Sequence, residues 1–242
     1  MSSIKIIAKS ILAGLMIGMG AACSSVAAHT ITNVGIARLI AGIVFPVGLM
    51  MVILMGAELF TGDCLMSSAV ARRSISFFQM VRVLSLVFAG NYIGSFILSI
   101  LIFFSGQLNF SNGLLGAYTI KVALGKTSLT PLQGITSGIL CNILVCAAVL
   151  MAMASKDVTG KLLASFFVVM PFVTGGFEHC VANMYYISAG LLAKTNPDFG
   201  NIAGGSLVIG LPMYYINTNL KLSKKGSKEN DVHYDYAGNF GN

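Results

Sequence analysis

Charge-free apolar runs at Ser10–Ala28, Leu39–Ala57, Val83–Ser105, Leu132–Ser155, Leu162–Phe177 and Phe199–Leu220 constrain this chain more than any other feature. Most reach the roughly 20 residues that a helix needs to cross a hydrocarbon core. Inside a bilayer the backbone must satisfy its own hydrogen bonds, so runs of this length fold as helices. Composition agrees, with 56% of residues hydrophobic and only 10% charged, far from the balance of a soluble globular chain. The expected fold is an all-α integral membrane protein with six transmembrane helices in residues 1–222 and a polar, disordered cytoplasmic tail over 223–242. Lys5 and Lys9 ahead of the first run, with Ser25-Val26-Ala27-Ala28 at its end, also give it the outline of a signal peptide; counting it as a span keeps two equal halves.

The basic residues set a topology. With a cytoplasmic N-terminus, Lys5, Lys9, Arg72, Arg73, Arg82, Lys156, Lys161, Lys221, Lys224, Lys225 and Lys228 fall inside, and Arg38, Lys121, Lys126 and Lys194 outside. Eleven against four is a clear positive-inside bias and places both termini in the cytoplasm of a multi-pass cell-membrane protein. The formal charge of +7 is then a topology signal, and no nucleic-acid partner is needed to explain it.

One stretch resists this apolar reading. Gly175-Gly176-Phe177-Glu178-His179-Cys180-Val181-Ala182-Asn183 sets a carboxylate beside an imidazole at membrane depth. A charge there costs about 2.5–3.5 kcal/mol on insertion scales, so such residues face a cavity, a partner or a permeation path. The glycines just before them free the backbone to end a helix, and a broken helix is tolerated only where it is buried in protein or lines water. The same signal occurs earlier: Gly56-Ala57-Glu58 matches Gly176-Phe177-Glu178, and Gly90-Asn91-Tyr92-Ile93-Gly94 matches Gly200-Asn201-Ile202-Ala203-Gly204. Second and fifth helices interrupted at equivalent points, in halves of three spans each, predict two inverted three-helix repeats with a site at their interface.

In the first interruption, Thr61 can offer a hydroxyl proton to an anion, and Asp63 is expected to cap the resuming helix, which continues apolar from Cys64 to Ala71. Glu58 and Glu178 are read as supports that hold the broken ends through hydrogen bonds, while Thr61 and His179 face the pore. Cys23, Cys64, Cys141, Cys146 and Cys180 lack CxxC spacing and histidine partners, so buried free thiols are expected, with no metal and no cofactor.

The segments Gly56–Leu65 (GAELFTGDCL), Gly138–Cys146 (GILCNILVC) and Gly175–Met184 (GGFEHCVANM) resemble the signature segments of the formate/nitrite transporter family, and the likeness runs from the first span to the sixth. That resemblance implies an aquaporin-like protomer, a homopentamer, and an anion pore in each protomer. It also implies a pore centre at His179, Thr61, Asn142 and Asn183, apolar constrictions at Phe45, Leu49, Leu59 and Phe172, and a vestibule lysine at Lys126. Within the family the chain looks most like the hydrosulfide channel branch.

The chemistry follows from apolar rings around a polar chamber. Bare ions are strongly disfavoured in such rings, so weak-acid anions that can pick up a proton are favoured: hydrosulfide, formate and nitrite. His179 either lends that proton or only donates a hydrogen bond, because imidazole is the side chain that titrates near neutrality. A proton-coupled symporter of formate or nitrite is the alternative, since half-helix sites serve transporters too. A pore for neutral solutes is a further one. An enzyme is not expected: there is no GxSxG or HExxH motif, and neighbouring residues on a helix diverge by about 100°.

Overall fold

The computed structural model describes residues 2–199. The sixth apolar run, the Gly200–Gly204 half of the second repeat match, the four C-terminal lysines and the 223–242 tail lie outside the described residues. Within them the chain is helical: α1 (Ser3–Ala28), α2 (Val34–Val44), α3 (Val47–Met55), α4 (Phe60–Asp63), α5 (Met66–Ala71), α6 (Phe77–Phe104), α7 (Leu114–Thr127), α8 (Pro131–Ala154), α9 (Val158–Gly175) and α10 (Cys180–Lys194). Among the described residues five helical stretches are long and apolar enough to cross a membrane: Ser3–Ala28, Val34–Met55, Phe77–Phe104, Pro131–Ala154 and Val158–Gly175. They cover the first five predicted spans.

Local chemistry sets the boundaries. The starts of α6 and α8 are capping boxes: Ser76 and Thr130 accept from the backbone N–H of Gln79 and Gln133, and each glutamine side chain accepts from the cap residue's own N–H. Pro46 interrupts the second span between α2 and α3, because proline has no N–H to continue the ladder, and the turn directs Phe45 inward. Close packing of α1 on α6 depends on glycine: a methyl group on Gly14 would overlap the Asn91 carbonyl, and one on Gly94 would overlap the Ile11 carbonyl. Gly14 thus serves packing within this chain, where α1 lies against α6.

Both breaks are built alike. Gly56 (φ 60°) and Gly176 (φ 74°) take the left-handed conformation that an L side chain rarely adopts, ending α3 and α9. Ala57 N–H donates to Val52 O and Phe177 N–H to Phe172 O, both at 3.0 Å, so the same six-residue closure recurs 120 positions apart. Extended residues follow, and new helices start at Phe60 and Cys180.

Two expectations need correction. The second helix resumes at Phe60, not Cys64, and Asp63 does not cap it: Leu59 occupies the cap position and supplies no side-chain acceptor. Asn91 does that work from α6, its Oδ1 accepting from Phe60 N–H at 2.9 Å. The segment between the third and fourth apolar runs, which carries Lys121 and Lys126, contains the 14-residue helix α7, which packs along α10 with Ala123 against Gly190.

Candidate functional site

The two breaks meet at a hydrogen bond between halves. Thr61 Oγ1 lies 3.1 Å from His179 Nε2, and both residues are buried. His179 is also the N-cap of α10, its Nδ1 accepting from Ala182 N–H at 3.1 Å. A ring nitrogen that accepts from an amide carries no proton, so in the neutral imidazole Nε2 bears the hydrogen and donates to Thr61. The Thr61 hydroxyl hydrogen is then left to point at an incoming acceptor. Backbone geometry thereby fixes the tautomer that faces the centre.

Aromatic and aliphatic side chains close around this pair. The Phe172 ring stacks on His179 with centroids 5.7 Å apart, and Phe45 meets Phe172 edge-on at 5.7 Å. Phe45 and Phe172 border a vestibule of about 710 Å³ whose floor includes His179. Leu49 and Leu59 border a second vestibule of about 510 Å³. All four are at most 3% exposed, so an apolar pair borders each vestibule, and His179 reaches the wall of the larger one beside Phe45 and Phe172.

The walls are charged. In the larger vestibule Lys126 Nζ donates to Glu178 Oε1 at 2.8 Å, and Asn183 Nδ2 donates to Glu178 Oε2 at 2.7 Å. Ser137 Oγ accepts from Glu178 N–H at 3.0 Å, fixing the backbone there. Arg38 and Lys121 line the same cavity, leaving it rich in positive charge. In the smaller vestibule Lys9 Nζ lies 3.5 Å from Glu58 Oε1, with Asp63 and Lys161 on the walls. Each break therefore carries a Lys–Glu pair contributed by a different helix. The described charges also sort by end: Arg82 donates to Ser3 Oγ, and Lys9 and Lys161 share one vestibule, while Arg38, Lys121 and Lys126 share the other.

A model of the family described as "Formate/nitrite transporter" matches residues 1–215. The chain belongs to the formate/nitrite transporter family. It is 35% identical over 216 residues to the formate channel FocA of Haemophilus influenzae, covering 75% of each chain. It is also 35% identical over 243 residues to a probable formate transporter of Methanothermobacter thermautotrophicus, covering 87% of this chain and 88% of that one. The fold resembles a solved pentameric formate channel with formate bound at TM-score 0.75 and 28% identity, over 89% of this chain and 98% of that one. These formate/nitrite transporter family relatives are named as channels and transporters rather than enzymes, and the apolar helices make this chain a multi-pass membrane protein.

The site residues read from the sequence are not all brought together. His179, Thr61, Phe45, Leu49, Leu59 and Phe172 converge, with Lys126, Glu178 and Asn183 beside them in one vestibule and Glu58 in the other. Asn142 lines a separate groove on α8 with Gly138 and Cys146; its side chain bonds Cys64 just past the first break, and Cys146 Sγ meets Thr61 O at 3.5 Å. Sequence reasoning also missed Asn91. That side chain is fully buried and holds the first break by three bonds, donating to Ser10 O (2.8 Å) and Glu58 O (3.0 Å) besides accepting from Phe60. The Gly90–Gly94 match was the available signal for it.

Proposed function

We propose that this chain conducts small monovalent anions of weak acids, with hydrosulfide as the preferred ion and formate and nitrite as further substrates. The observation that carries the reading is the buried Thr61–His179 hydrogen bond, with His179 beside Phe45 and Phe172 on one charged vestibule and Leu49 and Leu59 bordering the other. An anion gathers in the Lys126 vestibule, where positive charge raises its local concentration. At the plug it meets the Thr61 hydroxyl as donor, held and polarised by the Nε2–H of His179, and it passes the phenyl and leucyl rings as the neutral acid because a bare ion is excluded there.

His179 acts in this scheme as a hydrogen-bond donor rather than a proton lender. Its Nδ1 is committed to the α10 cap, so losing the Nε2 proton would leave an imidazolate, and gaining one at Nδ1 would break the cap.

The surrounding architecture is six membrane helices as two inverted three-helix repeats, aquaporin-like, with both termini in the cytoplasm and the Lys126 vestibule outside. The tail at 223–242 is a separate cytoplasmic end. A solved relative described as pentameric supports a homopentamer. The test is anion flux into liposomes carrying purified protein, compared for hydrosulfide, formate, nitrite and chloride. Fast flux of the three weak-acid anions with little chloride supports the reading; equal passage of chloride, or no protein-dependent flux, overturns it.

A further inference from the structure

If His179 only donates a hydrogen bond, the proton that neutralises the anion must come from another group, and the Lys9 vestibule holds one. Residues 56–63 and 176–183 align in sequence, Gly56 with Gly176 and Glu58 with Glu178, which sets Asp63 where the second break has Asn183. In the second break the Asn183 amide donates to Glu178, and Lys126 donates to the other carboxylate oxygen. In the first break Lys9 pairs with Glu58, but the residue in the asparagine position is a carboxyl group. It can offer Glu58 a hydrogen only while it holds a proton. Asp63 Oδ2 is buried with no hydrogen-bond partner, on the wall of the cavity that ends at Leu49 and Leu59.

We infer that Asp63 is the proton-exchange group of the Lys9 vestibule, passing a proton between its carboxyl and a weak-acid anion at the Leu49–Leu59 plug. This rests on the proposed weak-acid conduction and deepens it. In the direction from that vestibule inward, the O–H bond of the Asp63 carboxyl breaks and a bond from hydrogen to the anion forms. The neutral acid then crosses the plug, and the carboxylate takes its next proton from vestibule water. In the opposite direction the anion takes its proton from water in the Lys126 vestibule, crosses as the neutral acid, gives that proton to the Asp63 carboxylate and leaves as the anion, and the carboxyl releases the proton to water.

The groups that face Asp63 suit this exchange. Lys9 on α1 and Lys161 on α9 attract the anion to the vestibule, and Glu58 on the break opposes a second negative charge. Cys64 follows Asp63 in the chain, Cys146 reaches Thr61 from α8, His179 reaches it from α10, and α6 presents Asn91. None of these is a carboxyl with an unpartnered buried oxygen.

The test uses full-length protein in liposomes containing a pH dye, with rates taken above protein-free liposomes. Formate added outside acidifies the lumen as the acid enters and releases its proton. Asp63→Asn, which installs the residue of the second break, is expected to slow this flux by about tenfold or more and to flatten its pH profile. Asp63→Glu should restore most of both, and Asp63→Ser gives the same reading as Asn if the Asn variant misfolds. A folded Asp63→Asn or Asp63→Ser protein with the wild-type rate and pH profile overturns the proposal. So does faster flux with an unchanged profile, which would make Asp63 an electrostatic brake. Wild-type protein that moves no weak acid overturns the proposed function itself, and with it the role of Asp63.

Discussion

Replacing Asn91 with leucine should loosen the first break. The two side chains share a branched skeleton with the same number of heavy atoms, so the change removes hydrogen bonds and adds the bulk of two methyl groups. Asn91 makes three of them, to Phe60 N–H, Ser10 O and Glu58 O. Ser10 O sits within α1, where the helix ladder also uses it, so the loss there is small. The N–H of Phe60 and the carbonyl of Glu58 lie at a helix start and in extended chain, where the ladder offers no substitute. An orphaned buried group costs about 1–3 kcal/mol, so two give about 2–6 kcal/mol. That is a large part of the about 5–15 kcal/mol by which folded proteins exceed their unfolded states. The chain has no tryptophan, so melting of the purified protein is followed by circular dichroism, with anion flux measured beside it. Asn91→Leu should melt well below wild type and lose flux, because Thr61 follows Phe60 directly. Wild-type melting and wild-type flux together would refute the view that Asn91 holds this break.

Leu59→Ala and Phe172→Ala should each admit chloride by opening a plug, and each should cost about 2–5 kcal/mol of stability as a core truncation; lost stability with chloride still excluded would mean that the rings only pack. Lys126→Met should slow formate flux and remove its decline with rising ionic strength, since the lysine lines the larger vestibule; unchanged salt dependence would assign anion attraction to Arg38 and Lys121. Asn196→Cys should react with an impermeant thiol reagent on intact cells, because the positive-inside pattern sets the end of α10 outside; protection there would reverse the proposed orientation.

How much of this was legible in the sequence differs by element. Gly56 and Gly176 marked the breaks because positive φ needs glycine, and an acidic residue two positions later announced a site in each. The contact between Thr61 and His179 could be suspected from equivalent interruptions, but not the His179 cap, since histidine is an uncommon N-cap and Asp63 offered a commoner one nearby. Asp63 fails in that role because the break is one turn shorter than the apolar pattern suggested, and a side chain from α6 reaches in instead. Helix α7 was hidden for a different reason. Its 14 residues include two glycines and two lysines, too short and too polar to read as a span, and tertiary packing on α10 makes it helical. Asn142 was named by its motif alone, and the structure places it on the α8 groove, bonded to Cys64 of the first break.

The central claim, that permeation runs past a fixed Nε2–H donor, is tested most directly by the pH profile of formate flux through reconstituted His179→Asn and His179→Phe. Asparagine is a favoured N-cap and carries an amide donor, so His179→Asn should keep α10 capped and retain flux with the wild-type pH dependence. Phenylalanine removes both the cap acceptor and the donor, and His179→Phe should abolish flux. A folded His179→Phe protein that conducts formate at the wild-type rate would contradict the account, as would a His179→Asn protein whose flux no longer responds to pH.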